Sequence, residues 1–140
     1  MNTDLMFSSN SNEWATPQDF YEKLNEEFNF TLDPAADDNN HKCTKYFTEK
    51  ENGLLQNWGG NIVFCNPPYG KVIGDWVKKA YEEARKPNTT VVMLIPARTD
   101  TKYFHEYIYK KHEIRFIRGR LKFGDSKNAA PFPSMIIVMR

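Results

Sequence analysis

A single α/β domain, built on a mainly parallel sheet that closes with a late hairpin, is predicted by three features of the sequence. Continuous apolar runs of strand length stand at Ile62-Val63-Phe64-Cys65 and Thr90-Val91-Val92-Met93-Leu94-Ile95, as expected for strands covered on both faces. Amphipathic stretches of helical period alternate with those runs, the order that favours parallel strands joined by helices. Two more apolar runs, Ile114-Arg115-Phe116-Ile117 and Met135-Ile136-Ile137-Val138-Met139, end the chain with no helical pattern between them.

The 140 residues are 40% hydrophobic and 26% charged, a composition that suits one globular unit with room for a core but not for a separate recognition domain. A formal net charge of +1 excludes a uniformly basic surface, so any nucleic-acid contact must come from a local patch. The two cysteines, Cys43 and Cys65, make no disulfide framework, and no CxxC or HxxxH spacing asks for a metal. Neither a signal peptide nor a membrane-spanning run is present, so a cytoplasmic protein without membrane contact is expected.

Met1 to Asn12, rich in Ser and Asn, reads as a mobile arm, and residues 13–140 as the domain. Thr16-Pro17-Gln18-Asp19 reads as a helix start, with Thr16 as N-cap, Pro17 at the first helical position and Asp19 at the positive end. Phe20, Leu24 and Phe28 then form an i, i+4, i+8 stripe. Phe28 to Leu32 alternates toward a short strand ending at Asp33-Pro34-Ala35-Ala36, and the polar stretch from Asp37 to Gly60 has Tyr46, Phe47 and Trp58 as its anchors. A second helix carries Ile73, Trp76, Val77, Ala80 and Ala84 on one face and stops at Pro87-Asn88. After the run ending at Pro96, Thr99 or Asp100 caps a third helix that turns Tyr103, Phe104, Tyr107 and Ile108 to the core.

Between the first apolar run and the second helix stands Asn66-Pro67-Pro68-Tyr69, followed by Gly70. The prolines fix φ near −65° and push the preceding residue into extended geometry, so the Asn66 side chain and the Pro67 carbonyl are held as two acceptors. Open α/β sheets place their chemistry at such strand ends. Two acceptors that grip the N–H hydrogens of an exocyclic amine favour the pyramidal nitrogen formed only as it attacks a methyl group. Tyr69 is placed to stack on the face of the base.

With these residues the chain resembles the phage-type DNA N-6-adenine methyltransferases, the Dam-like family. The likeness runs through Trp14-Ala15-Thr16-Pro17, Leu32-Asp33-Pro34-Ala35-Ala36, Tyr46-Phe47-Thr48 and Cys65-Asn66-Pro67-Pro68-Tyr69. It continues through Leu94 to Thr101, Phe116 to Phe123 and Ala130 to Met135. The resemblance implies a Rossmann-like S-adenosylmethionine-dependent fold, reduced in size, and methyl transfer to N6 of adenine in DNA. By position it implies Thr16, Pro17, Asp33, Pro34, Ala35 and Asn66 at the cofactor, and Asn66, Pro67, Pro68 and Tyr69 at the reacting amine. The acid for the cofactor ribose is Glu49 or Glu51. Where many methyltransferases carry a glycine-rich loop after the aspartate-proline, this chain has Ala35-Ala36-Asp37-Asp38.

A buried adenine must be flipped to reach such a pocket. Arg118-Gly119-Arg120-Leu121-Lys122 is the one dense basic segment and is expected to meet phosphates, with Arg98 as a further DNA contact. Pro131-Phe132-Pro133 reads first as packing at the entry to the last strand and second as a stiff wall near the base. Two other readings fit the same box: a methyltransferase for protein glutamine, whose amide nitrogen is also planar, and a non-catalytic DNA-binding relative that keeps only the fold. Target sequence is unspecified, and specificity is expected to reside in short loops, in a second protomer of a homodimer, or to be low.

Overall fold

The computed structural model describes residues 15–124 and 128–140, so the expected N-terminal arm and Trp14 lie outside the described residues. Helix α1 (Gln18–Phe28), a 3₁₀ turn (Gly53–Leu55), strand β1 (Ile62–Cys65), helix α2 (Ile73–Ala84), strand β2 (Thr90–Pro96), a π-helical turn (Phe104–Ile108), strand β3 (Glu113–Phe116) and strand β4 (Ser134–Met139) follow in chain order.

The strands lie in the order β1-β2-β4-β3. β1 and β2 pair in parallel, with Ile62 beside Thr90 and Cys65 beside Met93. β4 is inserted between β2 and β3 and runs antiparallel to both. The expected mainly parallel sheet is therefore corrected to a mixed one. Among the described residues no helix lies between β3 and β4, and β4 pairs with β3 in the reversed direction. β4 then takes an interior position that suits its sequence, for every residue from Ser134 to Met139 is buried.

Alternation along the strands divides the core. Val63, Cys65, Val91, Met93, Ile95, Met135 and Ile137 meet the α2 face of Ile73, Trp76, Val77 and Ala80. Phe64, Val92, Leu94, Ile136 and Val138 point the other way, onto Tyr21 and Phe28 of α1 and onto Phe123 and Ala130 of the excursion. Each large apolar side chain so buried contributes about 1.5–3 kcal/mol against exposure. The α2 stripe read from the sequence is the stripe that packs. The chain leaves that helix through Asn88 at φ 56°.

Other expectations shift. The strand expected over Phe28–Leu32 does not form, because α1 runs through Phe28 and Asn29 closes it in the left-handed region at φ 58°. What survives is a pair of parallel bridges, Leu32 with Val63 and Asp33 with Tyr46. Pro17 occupies the cap of α1 with ψ 133° and no side-chain cap bond, so Thr16 is not the N-cap and Pro17 is not the first helical residue. The expected third helix contracts to the π-helical turn, which no side chain caps. Thr101 Oγ1 instead donates to the Arg98 carbonyl at 2.8 Å. Phe104 and Ile108 are buried there as expected.

Candidate active site

The Leu32–Val63 bridge sets Asp33 beside the carboxyl end of β1, where Asn66 begins the proline box. Two parallel segments thus end side by side, and a cavity of about 480 Å³ opens over them, within the range of small-molecule sites. Its walls include Thr16, Asp33, Pro34, Ala35, Asn66, Pro67, Pro68 and Tyr69, residues scattered through the sequence. Pro17 does not line it. That residue lies on a second, shallower depression with Asp19, Phe20, Lys23, Arg120, Leu121 and Lys122.

Thr16, freed from capping, is 5% exposed, and its Oγ1 accepts the Asn66 Nδ2 hydrogen at 3.1 Å. This bond ties the approach to α1 to the end of β1 and holds the Asn66 side chain in place. Gly70 holds φ at 107°, a backbone region open to glycine, where the chain turns away from the box into α2. Tyr69 is both wall and core: its ring stands edge-on to Phe132 at 5.6 Å and to Phe123 at 6.1 Å. Burial pushes its phenol well above the usual range, so it stays protonated.

Asp33 caps no helix. Its Oδ2 accepts from the Lys42 backbone N–H at 2.9 Å and its Oδ1 from the Ala35 N–H at 3.3 Å, which folds residues 34–42 into a loop over the strand end. Burial raises its pKa to about 6, against the pull of those two N–H groups and of Lys42 and His41. The carboxylate is ionised at neutral pH. The polar loop beyond it is held by similar side-chain bonds. Glu51 accepts from both the N–H and the hydroxyl of Thr48 at 2.8 Å, and Asn52 Oδ1 accepts from Leu54 N at 3.1 Å. Glu51 is thereby committed to its own loop, while Glu49 lines the cavity.

Several wall residues escaped the sequence reading. Gly53 is buried, and a Cβ there would sit 2.2 Å from the Pro34 carbonyl oxygen and 2.9 Å from the Trp76 ring. The 3₁₀ turn can press on the strand end only because residue 53 has no side chain. Trp58 fixes that turn from behind, donating its indole N–H to the Gly53 carbonyl at 2.9 Å, and its own backbone N–H binds Glu83 Oε1 at 2.6 Å. Lys42, Trp76 and Phe64 are among the further wall residues. Only an aromatic anchor at 58 and an isolated glycine at 53 hinted at this in the sequence.

Arg98, Arg118, Arg120 and Lys122 are all exposed, and none lines the main cavity. Arg120 and Lys122 share the shallow depression beside the start of α1. Their segment is tied to the cavity mouth: Gly124 N–H donates to the Ala15 carbonyl at 2.8 Å, and Phe123 touches Tyr69. Among the described residues no three His, Cys, Asp or Glu side chains gather as a metal site. No described helix is long and apolar enough to cross a membrane.

Residues 5–140 match the model of the family described as DNA N-6-adenine-methyltransferase (Dam). The DNA N-6-adenine-methyltransferase of Haemophilus phage HP1 is 30% identical over 133 residues, which span 89% of this chain and 76% of the phage protein. The protein of the same name from Escherichia phage T1 is 34% identical over 110 residues, 77% of this chain but 45% of that longer protein.

Proposed function

The chain belongs to the DNA N-6-adenine-methyltransferase (Dam) family and is a DNA adenine methyltransferase; from that premise we propose how its cavity and its basic shoulder divide the work. The cavity is the seat of S-adenosylmethionine. Its donor set fits that molecule, with flat or apolar walls in Trp76, Phe64 and Pro34 for a nucleoside and carboxylates at Asp33 and Glu49 for hydroxyl or ammonium groups. Thr16, Asp33, Pro34, Ala35 and Asn66 hold it, Pro17 acts only by shaping the turn into α1, and Glu49 rather than Glu51 is the acid for the ribose. When bound, the donor supplies a methyl group on a positively charged sulfur.

The box does the rest. Adenine N6 is a weak nucleophile because its lone pair is spread into the ring. The Asn66 side-chain oxygen and the Pro67 carbonyl accept its two hydrogens and favour the pyramidal geometry that develops during attack. Pro68 keeps both acceptors rigid. The methylated nitrogen is acidic and loses its proton without a strong base. Tyr69, braced by Phe123 and Phe132, stacks on an adenine flipped from the duplex. Arg98, Arg118, Arg120 and Lys122 hold the phosphates that flank it.

The observation that carries this reading is the Thr16–Asn66 bond in a cavity that the Asp33 loop also lines. Family membership favours DNA over a protein glutamine, and the intact cavity favours an active enzyme over a scaffold. Replacing Asn66 by Ala abolishes methyl transfer while far-ultraviolet circular dichroism and thermal unfolding stay close to those of the parent. A variant with parental turnover removes Asn66 from the mechanism.

A further inference from the structure

We infer that Lys42 is the seat of the donor's carboxylate, so that the amino-acid arm of S-adenosylmethionine is read by a charge on the Asp33 loop; the inference rests on the cavity being the donor site. Among the described residues Lys42 is the single lysine or arginine on the cavity wall, against the carboxyl groups Asp33, Asp37 and Glu49. The donor carries the mirror set: positive charges on sulfur and on the amine, and one negative carboxylate. Matching charges one for one leaves the carboxylate a single basic partner.

The lysine is built for an anion. It is partly buried, and its Nζ donates to a neutral acceptor, the Gln18 Oε1 at 2.7 Å. Among the described residues no carboxylate comes within ion-pair distance of Nζ, although Asp33 accepts from the same residue's backbone. Desolvation works against its charge, offset in part by Asp33 and Glu22 at longer range. A partly buried ammonium without a counter-ion is costly, and a ligand carboxylate would relieve that cost.

Position agrees with charge. The Gln18 bond draws Nζ toward the first residue of α1, and Thr16, just before it, holds Asn66. Lys42 and the reacting box are thus tied to one short stretch of chain, residues 16–18, and both line the cavity. Nζ also stands over the Tyr21 ring, 5.7 Å from its centre, so the head of the side chain is steadied from a second side.

The test compares two ligands that share the nucleoside and differ in the arm: S-adenosylhomocysteine, which has the carboxylate, and 5′-methylthioadenosine, which lacks the amino-acid portion. Calorimetry is run on the full chain and on Lys42→Met, Lys42→Gln and Lys42→Arg. The expected result is a loss of roughly tenfold to a hundredfold in S-adenosylhomocysteine affinity for the Met and Gln variants, the scale of a charge-assisted hydrogen bond. Affinity for 5′-methylthioadenosine stays at the parental value, and Lys42→Arg restores most of the loss. Equal weakening of both ligands, or of neither, overturns the assignment. Failure of the parent chain to bind either ligand overturns the donor site itself, a different outcome from the first.

Discussion

Replacing Thr16 by Val removes one oxygen and little volume, so its effect isolates the bond to Asn66. Thr16 is 5% exposed, and its Oγ1 accepts from Asn66 Nδ2 at 3.1 Å. Losing the acceptor for a partly buried amide N–H costs about 1–3 kcal/mol, part of it folding stability and part of it the fixed position of the amide. For a domain of this size the stability share lowers Tm by a few degrees at about 1 kcal/mol. Without that tether the Asn66 side chain samples rotamers that move its oxygen off the amine. If roughly 1.4–2.8 kcal/mol of orientation is lost in the transition state, the single-turnover rate falls about tenfold to a hundredfold. The assay is single-turnover methylation with enzyme in excess over an adenine-containing duplex, run beside thermal unfolding. A lower Tm with a rate within twofold of the parent refutes the reasoning, since the bond would then serve only to fasten the chain.

Other perturbations address separate parts of the site. Gly53→Ala puts a methyl group 2.2 Å from the Pro34 carbonyl oxygen, so the wall must move; a cost of about 1–3 kcal/mol in urea unfolding and weaker S-adenosylhomocysteine binding by calorimetry are expected. Joint replacement of Arg118, Arg120 and Lys122 by Ala should flatten the dependence of log DNA affinity on log salt by about one unit for each phosphate no longer neutralised, with turnover at saturating DNA retained. Because burial raises Asp33 from 3.8 to about 6, the folded state holds its proton more tightly than the unfolded one. Its contribution to stability therefore declines as pH rises between those values, and the ionised form needed for a cationic donor is lost as pH falls through about 6. Donor affinity followed by calorimetry from about pH 8 to about pH 5, a range that brackets this titration, should drop below that point in the parent and be flat in Asp33→Asn.

Much of the frame was legible because burial imposes a period. β1, β2 and β4 are apolar throughout since both faces are covered, and the α2 stripe repeats every three or four residues because only one face is. The proline box was legible because proline restricts the backbone locally. What could not be read depends on partners distant in sequence. The loop of residues 37–60 has no period, and its course is set by Asp33 on Lys42, Glu51 on Thr48 and Glu83 on Trp58. The close approach of Gly53 to Pro34 needs the tertiary fold before it means anything. At α1 a local rule misled, for Thr16 is a good cap by type, yet its hydroxyl bonds Asn66 across fifty positions of sequence. The reversed direction of β4 goes with a connection from β3 that has no helix among the described residues, a signal the sequence carries only as an absence of period.

The most direct trial is to incubate the purified chain with methyl-labelled S-adenosylmethionine and duplex DNA, then digest the DNA and identify the labelled nucleoside. Label in N6-methyldeoxyadenosine, lost with Asn66→Ala while that variant stays folded, is the predicted result. Label on cytosine or on protein, or adenine methylation undiminished by Asn66→Ala, contradicts the account.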